Sequence, residues 1–251
     1  MPEAVAAALA TPGLPILILA ALVAGMVYGF AGFGAALIFM PIGVRFLDPL
    51  SAVAAFQLSA LASLFSVVPQ AWGQADRRAA GIMLGASVLA APLGIWVLRT
   101  GDPEGLRWAV SAVVLITLTA LLTGWRFKGT PGVPGWLGVG AGVGFLGGSV
   151  GLNGPALILF QLAGRDPVER TRANTILVLT LSSLLLLPLM ALQGALSGQA
   201  LAIGAMLFLP YLIGGWLGRL VFDPSRAGLY RWVAYGIIAA AGLMGLPIWG
   251  R

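Results

Sequence analysis

The sequence predicts an all-α membrane protein of two inverted-topology repeats, each a glycine-broken, re-entrant helical hairpin plus three transmembrane helices. Three observations carry this. Of 251 residues, 59% are hydrophobic and only 9% are charged, against about 25% charged in a soluble domain. Apolar runs long enough to cross a bilayer recur along the whole chain. The second half repeats landmarks of the first. The short alternating segments of a membrane β-barrel are absent.

The apolar segments run approximately over 14–46, 50–71, 79–99, 105–125, 135–164, 171–193, 199–221 and 227–249. The most linker-like piece is RFKGTPGVP at 126–134, close to the midpoint. It divides one integral membrane domain into halves 1–125 and 135–251. Asp48-Pro49 matches Asp166-Pro167, and Asp102-Pro103 matches Asp223-Pro224. Pro92, Trp96 and Arg99 match Pro210, Trp216 and Arg219. The offsets all lie close to 120 residues, which makes four segments per half. Each Asp-Pro pair starts a helix, with Asp as N-cap and Pro at the first helical position. Arg45, Arg99, Arg165 and Arg219 lie at helix ends, where cations favour the negative end of the dipole.

The first segment of each half is about 30 residues long, whereas roughly 20 suffice to span. Each contains a glycine cluster, GFAGFGAALIFMP at 29–41 and GGSVGLNGP at 147–155. Glycine costs roughly 1 kcal/mol relative to alanine inside a helix, so the clusters predict breaks. The positive-inside rule arbitrates between a hairpin and a long tilted span. Two hairpins put ten basic residues on one side (Arg77, Arg78, Arg126, Lys128, Arg165, Arg170, Arg172, Arg219, Arg226, Arg231) and four on the other (Arg45, Arg99, Arg107, Arg251). Two simple spans give nine against five. The hairpin arrangement has the stronger bias. It leaves three crossings per half, and an odd number inverts the second half. The linker is then cytoplasmic and both termini face outside the cytoplasmic (inner) membrane.

Composition removes several function classes. The chain has no Cys and no His, which excludes disulfides, thiol chemistry and the usual zinc and haem ligands. The net charge of +6 belongs to membrane-flanking loops, so no nucleic acid partner is expected. The start, MPEAVAAALA, has no basic n-region and is not read as a cleaved signal peptide. All eight acidic residues fall in loops or at helix ends, and no Lys or Arg lies near the centre of a segment. That argues against a buried carboxylate relay and against intramembrane hydrolysis, so no enzyme activity is expected. No metal or other cofactor is expected.

The membrane interior does hold neutral polar groups: Tyr28, Gln57, Ser59, Ser63, Ser66 and Gln70, then Ser149, Asn153, Gln161, Asn174, Thr175, Ser182 and Ser183. Such groups commonly serve as interhelical glue. Those beside the glycine breaks are different, because freed N–H groups converge there with side-chain donors. A half-helix that starts at a glycine turn offers unpaired N–H groups and the positive dipole end. Two of them suit a small anion. Gly32, Gly34, Ser149, Gly151, Asn153 and Gly154 are the candidate core of a substrate site, with Ser149 and Asn153 as donors. Gln57, Asn174 and Thr175, at equivalent places after the Asp-Pro pairs, form a second tier. Gly25, Gly29, Gly214, Gly215, Gly218, Gly138, Gly140, Gly142 and Gly144 fit small-xxx-small helix packing instead.

GFAGFGAALIFMP at 29–41 and GGSVGLNGPALIL at 147–159 resemble the motifs of the TauE/SafE family of sulfite exporter-like membrane proteins. Both head a four-segment half, as in that family, and the resemblance runs from about Leu22 to Leu246. The chain departs from the family pattern after Gly34, where Ala35 and Ala36 replace a fuller glycine run. The resemblance implies secondary transport of a sulfur oxyanion or organosulfonate such as sulfite or sulfoacetate, usually outward. The expected partners are that small anion and the lipid bilayer, and a homo-oligomer is compatible with the sequence. The alternative is a non-transporting scaffold whose glycines serve helix packing alone.

Overall fold

A computed structural model describes residues 2–124, 132–161, 168–221, 227–246 and 248. Every long element among them is an α-helix: α1 (Pro2–Leu9), α2 (Leu14–Ala31), α3 (Ala35–Phe46), α4 (Pro49–Ala60), α5 (Ser63–Ser66), α6 (Val68–Ala71), α7 (Arg77–Thr100), α8 (Pro103–Leu122), α9 (Val133–Val150), α10 (Gly154–Gln161), α11 (Val168–Leu192), α12 (Gly198–Val221) and α13 (Ala227–Met244). Seven stretches among the described residues are long and apolar enough to cross a membrane, with α4 and α5 counted together. The chain is a multi-pass helical membrane protein.

Local chemistry sets the helix starts as expected. Asp48 accepts from Ser51 N at 3.0 Å, with Pro49 in the first helical turn. Asp102 accepts from Gly105 N at 2.7 Å, with Pro103 behind it. Asp76 caps α7 in the same way, through Arg78 N and Ala79 N. Asp166-Pro167 and Asp223-Pro224 lie outside the described residues.

Both predicted breaks are present. Gly32 (φ 78°) closes α2, Gly34 (φ 92°) opens α3, and Gly151 (φ 72°) closes α9. These left-handed conformations cost non-glycine residues strain. Beyond each break the chain doubles back. Gly13, before α2, lies against the ring of Phe46 at the end of α3. In the second half Gly135 sits at the start of α9 beside Phe160 near the end of α10.

Long-range contacts sort the helix ends into two groups. In the first, Arg45 Nη1 donates to Met244 O, Arg107 Nε to Val44 O, and Gln199 Nε2 to Ala7 O. In the second, Asp76 N donates to Asn174 Oδ1, and Arg172 donates to the end of α2. These are called the Arg45 face and the Arg77 face below.

The helix seams are reciprocal between the halves. α2 packs on α12, and α7 on α9. A Cβ on Gly29 would lie 2.4 Å from Gly215 O, and one on Gly148 would lie 2.7 Å from Ala91 O and 3.2 Å from Gly94 C. Gly29 and Gly148 are 119 residues apart, and Gly94 and Gly215 are 121 apart. Glycines at matching positions of the two halves therefore meet partners at matching positions. The packing role expected of Gly25, Gly140, Gly144, Gly214 and Gly218 holds, since each faces neighbouring backbone. Gly142 packs within its own hairpin, on Ala156. Gly138 does not fit, because nothing lies within 4 Å of a Cβ there.

The segment expected to run unbroken over 50–71 is interrupted. Leu61 N, Ala62 N, Leu64 N and Phe65 N bond three residues back, a tightened stretch between α4 and α5. Pro69 has no N–H and clashes with the carbonyl four residues earlier, which separates α5 from α6. The equivalent α11 is continuous over Val168–Leu192 despite Pro188.

These seams generate a stability series. Gly144→Ala, whose Cβ would fall 2.1 Å from Ser87 O, is expected to cost about 1–3 kcal/mol or more by overpacking. Gly138→Ala, into open space, is expected to stay within about 0.5 kcal/mol of the parent. Thermal unfolding of the two variants in detergent checks this contrast.

Candidate functional site

The breaks place the ends of four half-helices near one another, and several carbonyls at the two C-terminal ends are bonded within the protein. Gly32 N donates to Tyr28 O at 2.8 Å. Arg172, on the second turn of α11, donates from Nη2 to Gly29 O and from Nε to Phe30 O at 3.3 Å. Its stem crosses Gly32 so closely that a Cβ there would lie 2.7 Å from Arg172 Cγ. A cation at a helix C-terminus also favours the negative dipole end. At the second break, Gly151 N and Leu152 N both donate to Leu146 O.

The N-terminal ends are arranged differently. Ile38 is the first residue of α3 whose N–H returns to a carbonyl, Gly34 O at 3.1 Å. The N–H groups of Ala35, Ala36 and Leu37 precede that ladder. All three residues line a cavity whose empty space is about 350 Å³ out to its mouth. Gly154, the first residue of α10, lines the same cavity. Pro155 follows it, at a position where its missing N–H costs nothing. The positive ends of α3 and α10 thus share one space.

Neutral polar side chains complete the wall. Tyr28 Oη donates to Ile176 O at 3.1 Å and lies 3.0 Å from Thr180 Oγ1. Asn153 Nδ2 donates to Ser182 Oγ at 3.1 Å, Ser183 Oγ at 3.3 Å and Leu179 O at 3.4 Å. Ser63 and Tyr211 face the cavity from α5 and α12. Phe56, stacked on Phe39 at 5.3 Å between ring centroids, gives it an apolar floor. No charged side chain lines this cavity.

Of the residues singled out from the sequence, Gly34, Asn153 and Gly154 line the cavity. Gly32 and Gly151 make the turns behind it, with Gly151 held against Met40 and Val53. The cavity wall does not include the other four. Ser149 is buried where α9 meets Gly94 of α7. Asn174 accepts from Asp76 N at 2.6 Å, and Thr175 Oγ1 donates to Thr171 O at 2.8 Å. Gln57 is fully buried on α4, one helical turn after Val53, and neither its amide nitrogen nor its oxygen has a hydrogen-bond partner.

Tyr28, Ser63 and Ser183 were visible as polar positions but not ranked for the site. Thr180 shares a helix face with Ser183 three residues on, a usable signal. Nothing local marks Tyr211. Arg172 was counted only as a topological charge, although it falls inside the segment predicted at 171–193.

A polar cavity between two broken helices, inside a bundle of membrane-crossing length, fits a membrane transporter. The family model for the sulfite exporter TauE/SafE matches residues 17–245, and the chain belongs to that family. No curated protein and no solved structure matches the chain.

The unpaired amide of Gln57 yields a prediction. A buried polar group without a partner costs about 1–3 kcal/mol. Gln57→Met keeps the length of the side chain and is expected to raise thermal stability in detergent. A fall in melting temperature would mean that the amide is bonded in the folded protein.

Proposed function

We propose that the chain is a secondary transporter or facilitator that exports a small sulfur oxyanion or organosulfonate, sulfite or a sulfoacetate-like anion, across the cytoplasmic membrane. The observation that carries this is the shared cavity at the N-termini of α3 and α10. Freed N–H groups and two dipole ends create positive potential there without a buried cation. Family membership supports the sulfur oxyanion as substrate.

In this reading both hairpins are re-entrant and the halves are inverted repeats. The fold-back contacts Gly13–Phe46 and Gly135–Phe160 support re-entry. The reciprocal glycine seams and the opposite starting faces of α2 and α9 support inversion. The Arg77 face is then cytoplasmic, and among described residues it holds Arg77, Arg78, Arg170, Arg172 and Arg219 against Arg45, Arg99 and Arg107. Both termini face outside.

Gly34 and Gly154 bring backbone N–H groups to the anion, and Asn153 supplies an amide donor once it leaves its serine partners. Gly32 and Gly151 hold the turns. Asn174 and Thr175 support α11 beside the site, through Asp76 N and Thr171 O, while Ser149 and the unpaired Gln57 lie buried off the cavity wall. A negative interior drives anion efflux by about 2.3 kcal/mol per charge per 100 mV. Electrogenic or proton-linked movement therefore needs no metal or nucleotide. The scaffold alternative accounts for the packing glycines but not for left-handed Gly32, Gly34 and Gly151 around a polar cavity.

The test is sulfite flux in proteoliposomes. The parent protein is expected to carry sulfite, with rates that follow an imposed potential. Asn153→Ala and Gly34→Leu are expected to lower the rate about tenfold or more, equal to at least 1.4 kcal/mol. Absence of parental flux, or variants that match the parent, would end this reading. Thermal shifts with sulfite, sulfate, sulfoacetate and acetate rank the substrates. Reporter fusions are expected to put Arg45 and the N-terminus on one face and Lys128 on the other.

A further inference from the structure

A second cavity, of about 230 Å³ out to its mouth, lies between α7, α9 and α11. Its walls include Ser87, Val143, Gly147, Ser182, Leu186 and Leu189. Asn153 lines this cavity as well as the first, the one polar side chain common to both. Along α11 the two cavities are displaced. Leu179, Thr180 and Ser183 line the first, whereas Ser182, Leu186 and Leu189 line the second. α11 ends at Leu192 near the Arg45 face, where Gln193 Nε2 donates to Pro92 O at 3.3 Å. The second cavity therefore continues from the first toward that face. Between them stands the Asn153 amide, bonded to both Ser182 and Ser183. On its other side Gly147 backs it, 3.2 Å from Asn153 Cβ to a Cβ built there.

We propose that the second cavity is the Arg45-side half of the anion's path and that Asn153 is the partition between the halves. This rests on the transport reading above. Besides Asn153, Ser87 and Ser182 are the polar residues of the second half, in a space otherwise walled by Val, Leu, Ala and Gly. When Asn153 exchanges its serine partners for the anion, the partition opens. An oxyanion supplies acceptor oxygens in place of Ser182 Oγ and Ser183 Oγ, so the exchange leaves the amide satisfied. Gly147 leaves room for that movement, and a β-carbon there would restrict it.

The chain has no native cysteine, so one introduced thiol reports alone. Ser87→Cys probes the second cavity and Ser63→Cys the first. Each is treated in proteoliposomes with a membrane-impermeant methanethiosulfonate from one face at a time, without and with sulfite. Ser87→Cys is expected to react from the Arg45 face, and Ser63→Cys from the Arg77 face or not at all. Adding Asn153→Ala is expected to raise reaction of Ser87→Cys from the Arg77 face about fivefold or more, as the closed state loses its hydrogen bonds. Gly147→Ala is expected to slow it in the presence of sulfite. Reaction of Ser87→Cys only with a lipid-soluble maleimide would make the second cavity a lipid-facing groove and overturn the proposal. So would equal reaction from both faces before Asn153 is changed. Sulfite flux by the unsubstituted protein, measured in the same vesicles, separates the cases. If flux is absent the transport reading fails; if it is present and Ser87→Cys is unreachable from the Arg45 face, the path fails alone.

Discussion

A helix that stops inside a membrane must find partners for its terminal backbone groups, because hydrocarbon offers none. This protein meets that constraint unequally at its two kinds of end. Carbonyls near the C-terminal ends are bonded internally: Arg172 covers Gly29 O and Phe30 O, and Gly151 N and Leu152 N converge on Leu146 O. The N–H ends at Ala35 and Gly154 open into the cavity instead. The two N-terminal ends therefore give the cavity a positive potential. The proposed preference for a small anion rests on those helix ends rather than on any charged side chain.

Glycine performs two separate jobs here, and the fold depends on keeping them apart. At Gly32, Gly34 and Gly151 it supplies left-handed backbone so that the chain can reverse within the bundle. At Gly29, Gly144, Gly148 and Gly215 it lets neighbouring helix backbones touch. The second job anchors the long arms, α2 on α12 and α9 on α7, each across the boundary between halves. The short arms are held differently. Met40 of α3 reaches the Gly151 turn, and Ala156 of α10 rests on Gly142. α2 and α3 are thus fixed through α12, and α9 and α10 through α7, which makes the cavity between α3 and α10 depend on helices from both ends of the chain.

Much of this was legible in the sequence because the relevant signals are local. Asp-Pro pairs write helix starts, and glycine clusters write breaks. The duplication shows at an offset close to 120 residues because the landmarks are rare residue types. The break at 61–62 was illegible, since it is flanked by Ser59 and Ser66 hydroxyls that donate to the Phe56 and Ala62 carbonyls and by Pro69, which lacks an N–H, rather than by glycine. Site membership was only partly legible for the same reason. Asn153 could be placed because it adjoins a break, whereas Tyr211 arrives from another helix with no local mark. Ser149, four residues before Asn153, has its backbone against Gly94 of α7, on the other side of the turn at Gly151 and Leu152.

The uncharged wall bears directly on transport. A buried arginine would bind an oxyanion tightly, and tight binding slows release, since passage requires a site favourable enough to enter yet weak enough to leave. Backbone N–H groups, hydroxyls and one amide give a shallower well. Asn153 fits this requirement in a specific way. Its donors already have acceptors in Ser182, Ser183 and the Leu179 carbonyl, so in the proposed transport the anion would exchange one set of hydrogen bonds for another instead of adding a new set. The net change is then small in either direction, and the membrane potential, at about 2.3 kcal/mol per charge per 100 mV, is large enough to set the direction.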